Sequence, residues 1–314
     1  MLVLFQRRVI YLPSVPPGTR DEPVPHQTGN LEVKEVQLQS EEPSRWLRRT
    51  VNLRGIAVEW RSGKADALAG PERRVVIVYL QGNAGTPLLR LPVFRKLLKP
   101  DRSTARSRQP RITLLAVAPR SYWLSDRTTP TEHGVLADYR AALAYAQERY
   151  GSDATYVLYG HSLGGAAAVL LMLRQLDERT PHIAGLILEN PLPSIPYMVR
   201  SLYPQRWLPY HYLGPFAFDK WDALPAIEQG VRQGSGVGEK RRRFPPSLWI
   251  RSGRDEIIPH GANDGVERIR VGRARWIDIP HALHDTAYME QRWRDEIRRF
   301  VDELSSAQGR KAGS

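Results

Sequence analysis

The sequence predicts an α/β fold: a doubly wound, mainly parallel sheet with antiparallel N-terminal strands and a short cap insertion. Three observations carry this. From Arg74 onward, short β-branched runs alternate with longer stretches of helical spacing, the pattern of βαβ units. Before Arg74, two segments alternate apolar and polar residues, as half-buried antiparallel strands do. Between Asn190 and Pro246 the pattern becomes irregular, rich in proline and aromatics. Residues 1–304 read as one domain, with the cap at about 191–246 and a disordered tail over 305–314.

In order, Arg8–Leu12 reads as a short extended run ended by Pro13–Pro17. Leu31–Leu38 and Thr50–Arg61 are the two alternating strands, with Gly55 as a turn or bulge. Arg74–Leu80 is a continuous apolar run suited to a strand buried on both faces. Thr86–Leu98 has helical spacing, and Lys99–Pro110 reads as a basic exposed loop. Ile112–Val117 is a strand and Thr131–Tyr150 a long helix with Thr131 and Glu132 at its start. Tyr156–Tyr159 and Ile183–Leu188 are strands flanking a helix over Leu163–Leu176. Gly230–Gly238 reads as a mobile loop. Ser247–Arg251 and Arg275–Ile279 are the last strands, and Thr286–Leu304 the closing helix.

The 314 residues are 41% hydrophobic and 25% charged, which is ordinary globular composition with ample chain for a core. The absence of cysteine excludes disulfides, thiolate metal sites and a cysteine nucleophile, and fits a reducing, intracellular compartment. The formal net charge is +13. Its arginines cluster at Arg48-Arg49, Arg73-Arg74, Arg102–Arg111, Arg241–Arg243 and Arg298-Arg299. The plain interpretation is a solvated basic surface. The sharper one is peripheral contact with an anionic membrane. No nucleic-acid signature accompanies the charge, so no nucleic-acid partner is expected. Met1–Phe5 is too short an apolar run for a span or a secretory core, so neither a transmembrane helix nor a signal peptide is expected. Nothing in the sequence speaks to oligomeric state.

The chemistry gathers around Gly160-His161-Ser162-Leu163-Gly164, placed between a β run and a small-residue helix. An ordinary glycine-rich turn would show the same pentapeptide. The strand–turn–helix setting favours a nucleophile elbow, with glycines where a Cβ would collide with backbone. In a sheet of this type, functional groups collect in loops at the carboxyl ends of strands. Asp255 follows the Ser247–Arg251 strand and His284 follows the Arg275–Ile279 strand. A serine hydroxyl needs a base, an imidazole supplies one, and a carboxylate orients the imidazole. Ser162, His284 and Asp255 take those roles. Glu256 and Asp264 compete for the acid, but Asp255 directly follows the Gly253-Arg254 turn. His281 competes for the base, but His284 immediately precedes the closing helix. His260 shares the acid's loop and reads as a cleft or cap residue, and His161 as shaping the elbow. Main-chain amides of Asn83, or Ala84, and Leu163 would hold an oxyanion.

These motifs resemble the α/β-hydrolase superfamily over most of the chain. They resemble in particular its membrane-associated branch of bud-emergence-type proteins, lysophospholipid lipases and protein depalmitoylases. The resemblance rests on Arg7–Pro13, Gly82–Gly85, Gly160–Gly165, Glu189-Asn190-Pro191 and Ser252–Pro259. The chain departs from that branch at Gln81, where a histidine is usual, and at His284-Asp285-Thr286, one residue shorter than the branch's motif. It also departs at Pro119–Ser125, whose bulk implies a reshaped acyl pocket. The resemblance implies an α/β-hydrolase fold and a serine hydrolase of carboxylic esters or thioesters. It would use no cofactor and no metal, and would act on a small-molecule or lipid-like acyl ester. Met198, Leu202, Tyr203, Trp207, Leu208, Tyr210, Tyr212 and Phe216 are expected to line or cover the cleft, or simply to pack a short cap. A serine peptidase of the same fold and a non-catalytic scaffold are the competing functions.

Overall fold

The structure is a computed structural model that describes residues 2–25, 28–41, 50–61, 73–101, 109–174, 180–207, 212, 214–233, 244–259, 261–262 and 273–312. Among the described residues eight strands form one sheet: β1 (Leu31–Glu41), β2 (Thr50–Trp60), β3 (Arg74–Leu80), β4 (Arg111–Ala118), β5 (Thr155–His161), β6 (Ile183–Glu189), β7 (Ser247–Ser252) and β8 (Ala274–Ile279). Their order is β1-β2-β4-β3-β5-β6-β7-β8. β1 pairs antiparallel with β2, and β2 antiparallel with β4; every later pairing is parallel. The chemistry of each strand follows its position. The edge strand β1 is largely open to solvent, with only Leu31, Val36 and Ser40 buried, whereas all of β5, in the middle of the sheet, is buried.

The helices are α1 (Leu2–Ile10), α2 (Leu91–Leu98), α3 (Glu132–Tyr150), α4 (Leu163–Arg174), α5 (Ile195–Leu202), α6 (Ala223–Gln233) and α7 (Gln291–Ala312). α2 packs on α7, while α3 and α6 pack on α4. Thr131 caps α3 by accepting a hydrogen bond from the Gly134 amide at 2.9 Å. Strand order reverses between β3 and β5, because β4 lies on the far side of β3. The carboxyl ends of β3 and β5 therefore flank a topological switch point, where ligands bind in open α/β sheets.

Four sequence expectations are corrected. Arg8–Leu12 is not a strand: helix α1 runs to Ile10, and Leu12 makes a single β-bridge with Ala84. Ile10 and Tyr11 bury against the body and Arg7 pairs with Asp219 at 2.9 Å. Tertiary docking overrides local propensity there. Gly55 is neither turn nor bulge. It pairs in register with Val36 and Val117, and a Cβ on it would lie 2.7 Å from the Ala116 carbonyl oxygen. The irregular stretch after Asn190 contains α5 and α6. The closing helix does not stop at Leu304; α7 continues to Ala312 with Ser305 buried, so the disordered tail expected from Ser305 is helical to that point. Arg48-Arg49, Arg102–Arg108, Leu208, Tyr210, Gly234–Gly238 and Arg241–Arg243 lie outside the described residues.

The basic surface is only partly solvated. Arg298 is buried and donates to Gln109, and Arg74 and Arg111 both approach Glu59. Among the described residues no helix is long and apolar enough to cross a membrane.

Candidate active site

Ser162 lies between the last residue of β5 and the first of α4, with φ of 55°. An L-residue there is strained, and the neighbouring glycines show why the turn takes this shape. A Cβ at Gly160 would sit 2.3 Å from the Gly164 carbonyl oxygen, and one at Gly164 would sit 1.9 Å from the Leu80 carbonyl oxygen. α4 can thus start hard against the ends of β3 and β5. The turn is tied to the next strand as well. The Ser162 amide donates to Glu189 at 3.0 Å, and the Leu192 amide donates to the Ser162 carbonyl at 3.0 Å.

Asp255 and His284 meet. His284 Nδ1 lies 2.8 Å from Asp255 Oδ2 and 3.0 Å from Oδ1, with both side chains almost wholly buried. A carboxylate can only accept, so Nδ1 carries the proton and Nε2 is left as an acceptor. The amides of Ile257 and Ile258 donate to Asp255 Oδ1 at 2.8 and 2.7 Å, which fixes the carboxylate. Glu256 is engaged differently: its Oε2 accepts from the main-chain amide of His284 at 3.0 Å. His281 is exposed, while His260 and Asp264 lie outside the described residues.

The loop bearing His284 is held by residues that the sequence reading gave no such role. Asn190, at φ 44°, donates from Nδ2 to the His284 carbonyl at 2.9 Å and to Ser252 Oγ at 2.9 Å. Its Oδ1 accepts from the Ser252 amide at 2.8 Å. One side chain therefore joins the ends of β6 and β7 to the His284 loop. His161 reaches the same carbonyl. Arg90 Nη2 donates to His161 Nδ1 at 3.1 Å, so Nε2 carries the proton and donates to the His284 carbonyl at 3.1 Å. The two imidazole rings stand 4.8 Å apart. Burial, then the Arg90 charge and His284, push the His161 pKa well below its ordinary value, so it stays neutral. Arg90 also pairs with Asp285 at 2.6 Å. Burial alone would raise the Asp285 pKa, but the charge and hydrogen bond of Arg90 outweigh it and hold it below the ordinary value. Glu189 is buried beneath this cluster's strand end, where Tyr159 and Trp293 donate to it. Burial nevertheless raises its pKa. A polar pair at the carboxyl end of an apolar strand, Glu189-Asn190, was the available sequence signal.

The Gln81–Gly85 loop follows β3. The Asn83 carbonyl accepts from the Leu12 amide at 2.8 Å and from Tyr122 Oη at 2.8 Å, and the Gly85 amide donates to Val15 at 2.8 Å. The N-terminal segment thus straps this loop. Gln81 Nε2 reaches the Gly85 carbonyl at 3.4 Å, and Gln81 Oε1 is buried without a hydrogen-bond partner. The Pro119–Ser125 loop does not reshape the pocket that contains Ser162, contrary to expectation. Tyr122 and Trp123 turn inward and are fully buried, with Arg120 paired to Asp138 at 2.7 Å. The loop's bulk supports the Asn83 loop instead.

A cavity of about 300 Å³ is lined by Ser162, Asn83 and Leu163. Among the described residues its remaining wall is apolar apart from Gln6, and comes from α1, Leu192, α5 with Tyr203, the 216–217 segment and Ile257-Ile258. Met198, Leu202, Tyr203 and Phe216 contribute, as expected; Trp207 and Tyr212 are exposed and do not. Among the described residues no group of three His, Asp or Glu side chains is arranged to hold a metal ion.

No family model matches the chain. Protein bem46 of Schizosaccharomyces pombe is 25% identical over 259 residues, spanning 82% of this chain and 72% of that protein. Lysophosphatidylserine lipase ABHD12 of Mus musculus is 27% identical over 227 residues, spanning 69% of this chain and 48% of that protein. Among solved structures, the Pyrococcus furiosus esterase Pf2001 superposes with a TM-score of 0.60 at 16% identity, covering 95% of this chain and 98% of its own. The chain has the α/β-hydrolase fold and resembles the bud-emergence-type and lysophospholipid-lipase branch of that superfamily.

Proposed function

We propose that the protein is a serine hydrolase that cleaves carboxylic esters or thioesters of an apolar acyl group through an acyl-enzyme on Ser162. The observation that carries this is the apolar cavity reaching Ser162 at a strained elbow, beside an ordered His284–Asp255 pair. Ser162 Oγ attacks the acyl carbonyl while His284 Nε2 takes its proton. The oxyanion is held by the amides of Asn83 and Leu163, the second at the N-terminus of α4 where amides lack helical partners. Asp255 keeps the imidazole in the tautomer that can accept, and stabilises the imidazolium. His284 then returns the proton to the departing alkoxide or thiolate. In the second half, His284 removes a proton from water, the hydroxide attacks the acyl-enzyme, and the acid leaves with Ser162 reprotonated.

The lipase and esterase names of the relatives support an ester or lipid-like substrate for this chain too. Residues between β6 and β7 act as the cap, since Met198, Leu202 and Phe216 wall the acyl cavity. The net charge of +13 supports peripheral contact with an anionic membrane. The test is covalent labelling by a serine-reactive fluorophosphonate, run beside hydrolysis of esters and thioesters of increasing acyl length. Wild type is expected to label and to prefer apolar acyl groups. Undiminished labelling of Ser162→Ala would remove the nucleophile from the proposal.

A further inference from the structure

The mouth of the Ser162 cavity is unusual for a water-facing surface. Val9 on α1, Leu202 at the end of α5, Phe216 and Phe218 in the next segment, and Ile257 in the acid loop are all apolar and at least 47% exposed, and Trp207, five residues beyond Leu202, is 80% exposed. They come from four separate stretches of chain. Four of them, Val9, Leu202, Phe216 and Ile257, also line the cavity, so the rim and the acyl wall are one continuous apolar surface. Scattered exposed apolar residues need no explanation, but a ring around a cleft does.

The charges in the same stretches are one-sided. Across α1, α5 to Trp207, the 214–220 segment and the 253–259 loop, the exposed charged residues are Arg8, Arg200, Arg206, Lys220, Arg254 and Glu256. Asp219 is buried in its pair with Arg7, and Asp255 holds His284. Five cations against one carboxylate disfavour a second copy of this face, which would bring like charges together. An anionic lipid surface satisfies both features: headgroups meet the cations and the acyl layer meets Trp207 and Phe218.

We infer that this rim is a docking face for an anionic lipid surface, seated so that the Ser162 cavity opens onto the lipid and an acyl chain enters without crossing water. The inference rests on the hydrolase reading only for what happens after entry. α1 is built into the face. Its Gln6 side chain accepts from the Phe218 amide at 2.8 Å, and Arg7 holds Asp219. The chain continues from α1 directly to Leu12, whose amide holds the Asn83 carbonyl. The docking face and the Asn83 loop are therefore mechanically joined.

The test measures sedimentation of the full chain with phosphatidylglycerol–phosphatidylcholine vesicles and with pure phosphatidylcholine vesicles. It is run at low and high salt and compared with the double variant Trp207→Ser/Phe218→Ser, two exposed positions outside the cavity wall. Wild type is expected to partition onto the anionic vesicles and to be released by salt. The double variant should partition at least about tenfold less. Its kcat/KM on a water-soluble short-chain ester should stay within about twofold of wild type. Undiminished partitioning of the variant overturns the inference, as does a wild-type dimer that the double variant dissociates, which would make the rim an interface between copies. If wild type binds anionic vesicles as expected but hydrolyses no ester, the docking face stands and the hydrolase reading falls. If it hydrolyses the soluble ester but ignores both vesicle types, the reverse holds.

Discussion

The side-chain amide of Asn190 donates to the main-chain carbonyl of His284 at 2.9 Å, and the ring of His161 donates to the same oxygen at 3.1 Å. His161 adjoins Ser162, and Asn190 follows the residue that accepts from the Ser162 amide. The His284 loop is therefore registered against the elbow by the side chains of Asn190 and His161, rather than by its own strand alone.

Asn190→Ala removes three buried hydrogen bonds at once and leaves the Ser252 amide without its side-chain acceptor. A loop shift of a fraction of an ångström is costly to catalysis, so kcat is expected to fall roughly 10–100-fold, with KM changed by less than about threefold. Fluorophosphonate labelling should slow but persist, which separates a positioning residue from the nucleophile. An unchanged kcat in a folded Asn190→Ala protein would deny Asn190 this role.

Two acids touch the His284 segment, and their contacts predict different consequences. Asp255 meets the imidazole, whereas Glu256 meets only the main-chain amide. Asp255→Asn keeps the shape but can present an N–H to Nδ1 and favour the wrong tautomer; kcat should fall by about 10³–10⁴, the scale seen for a triad acid elsewhere. Glu256→Gln still offers an oxygen to the amide and should stay within about tenfold of wild type. Steady-state kinetics on one soluble ester compares both, and the reverse ranking would move the acid to Glu256.

The parts of the site that were legible in the sequence are those fixed by local chemistry. Gly160 and Gly164 declare a turn that tolerates no Cβ, and apolar runs place Asp255 and His284 just past strand ends, where the sheet brings them together. What was not legible depends on contacts between distant segments. Asn190 gains its partners only when β6 and β7 lie side by side. Arg8–Leu12 looked extended, whereas α1 runs to Ile10 with its Gln6 and Arg7 side chains bound to the 218–219 segment. The Pro119–Ser125 loop looked like cleft bulk, yet Ser121 at φ 70° and Trp123 at φ 43° turn its rings into the core. Side-chain direction after such a turn is not written in residue type.

Acidification should weaken the fold through His161. Its pKa is held below the ordinary 6.5 by burial and by Arg90, so as pH falls below 6.5 the unfolded chain takes a proton that the folded chain refuses. The stability this group contributes is complete above 6.5 and is lost as pH falls toward its lowered folded value, at roughly 1.4 kcal/mol per pH unit. Asp285 has the same sign, but its loss begins only below the ordinary 3.8. Glu189 has the opposite sign, since its raised pKa costs stability as pH rises from the ordinary 4.5. Comparing wild type with His161→Gln cancels both. Urea melts between pH 5 and 6.5 should show a shallower pH slope in the variant, and parallel slopes would rule out His161 as the source.

The elbow itself should carry a measurable strain. Ser162 sits at φ 55°, which costs an L-residue about 1–2 kcal/mol relative to a right-handed conformation. Glycine escapes that cost but gives back about 0.5–1 kcal/mol through the greater freedom of its unfolded chain. Alanine keeps the strain and loses only the hydroxyl. Ser162→Gly and Ser162→Ala both abolish the nucleophile, so catalysis cannot distinguish them, but their stabilities should differ. Ser162→Gly is expected to be the more stable by about 0.5–1 kcal/mol in urea melts at neutral pH. Gly164→Ala gives the contrast, because its Cβ would stand 1.9 Å from the Leu80 carbonyl oxygen, and no rotamer relieves a backbone clash. That variant should lose more than about 4 kcal/mol or fail to fold. If Ser162→Gly proves no more stable than Ser162→Ala, the turn is relaxed and the strain lies in its neighbours.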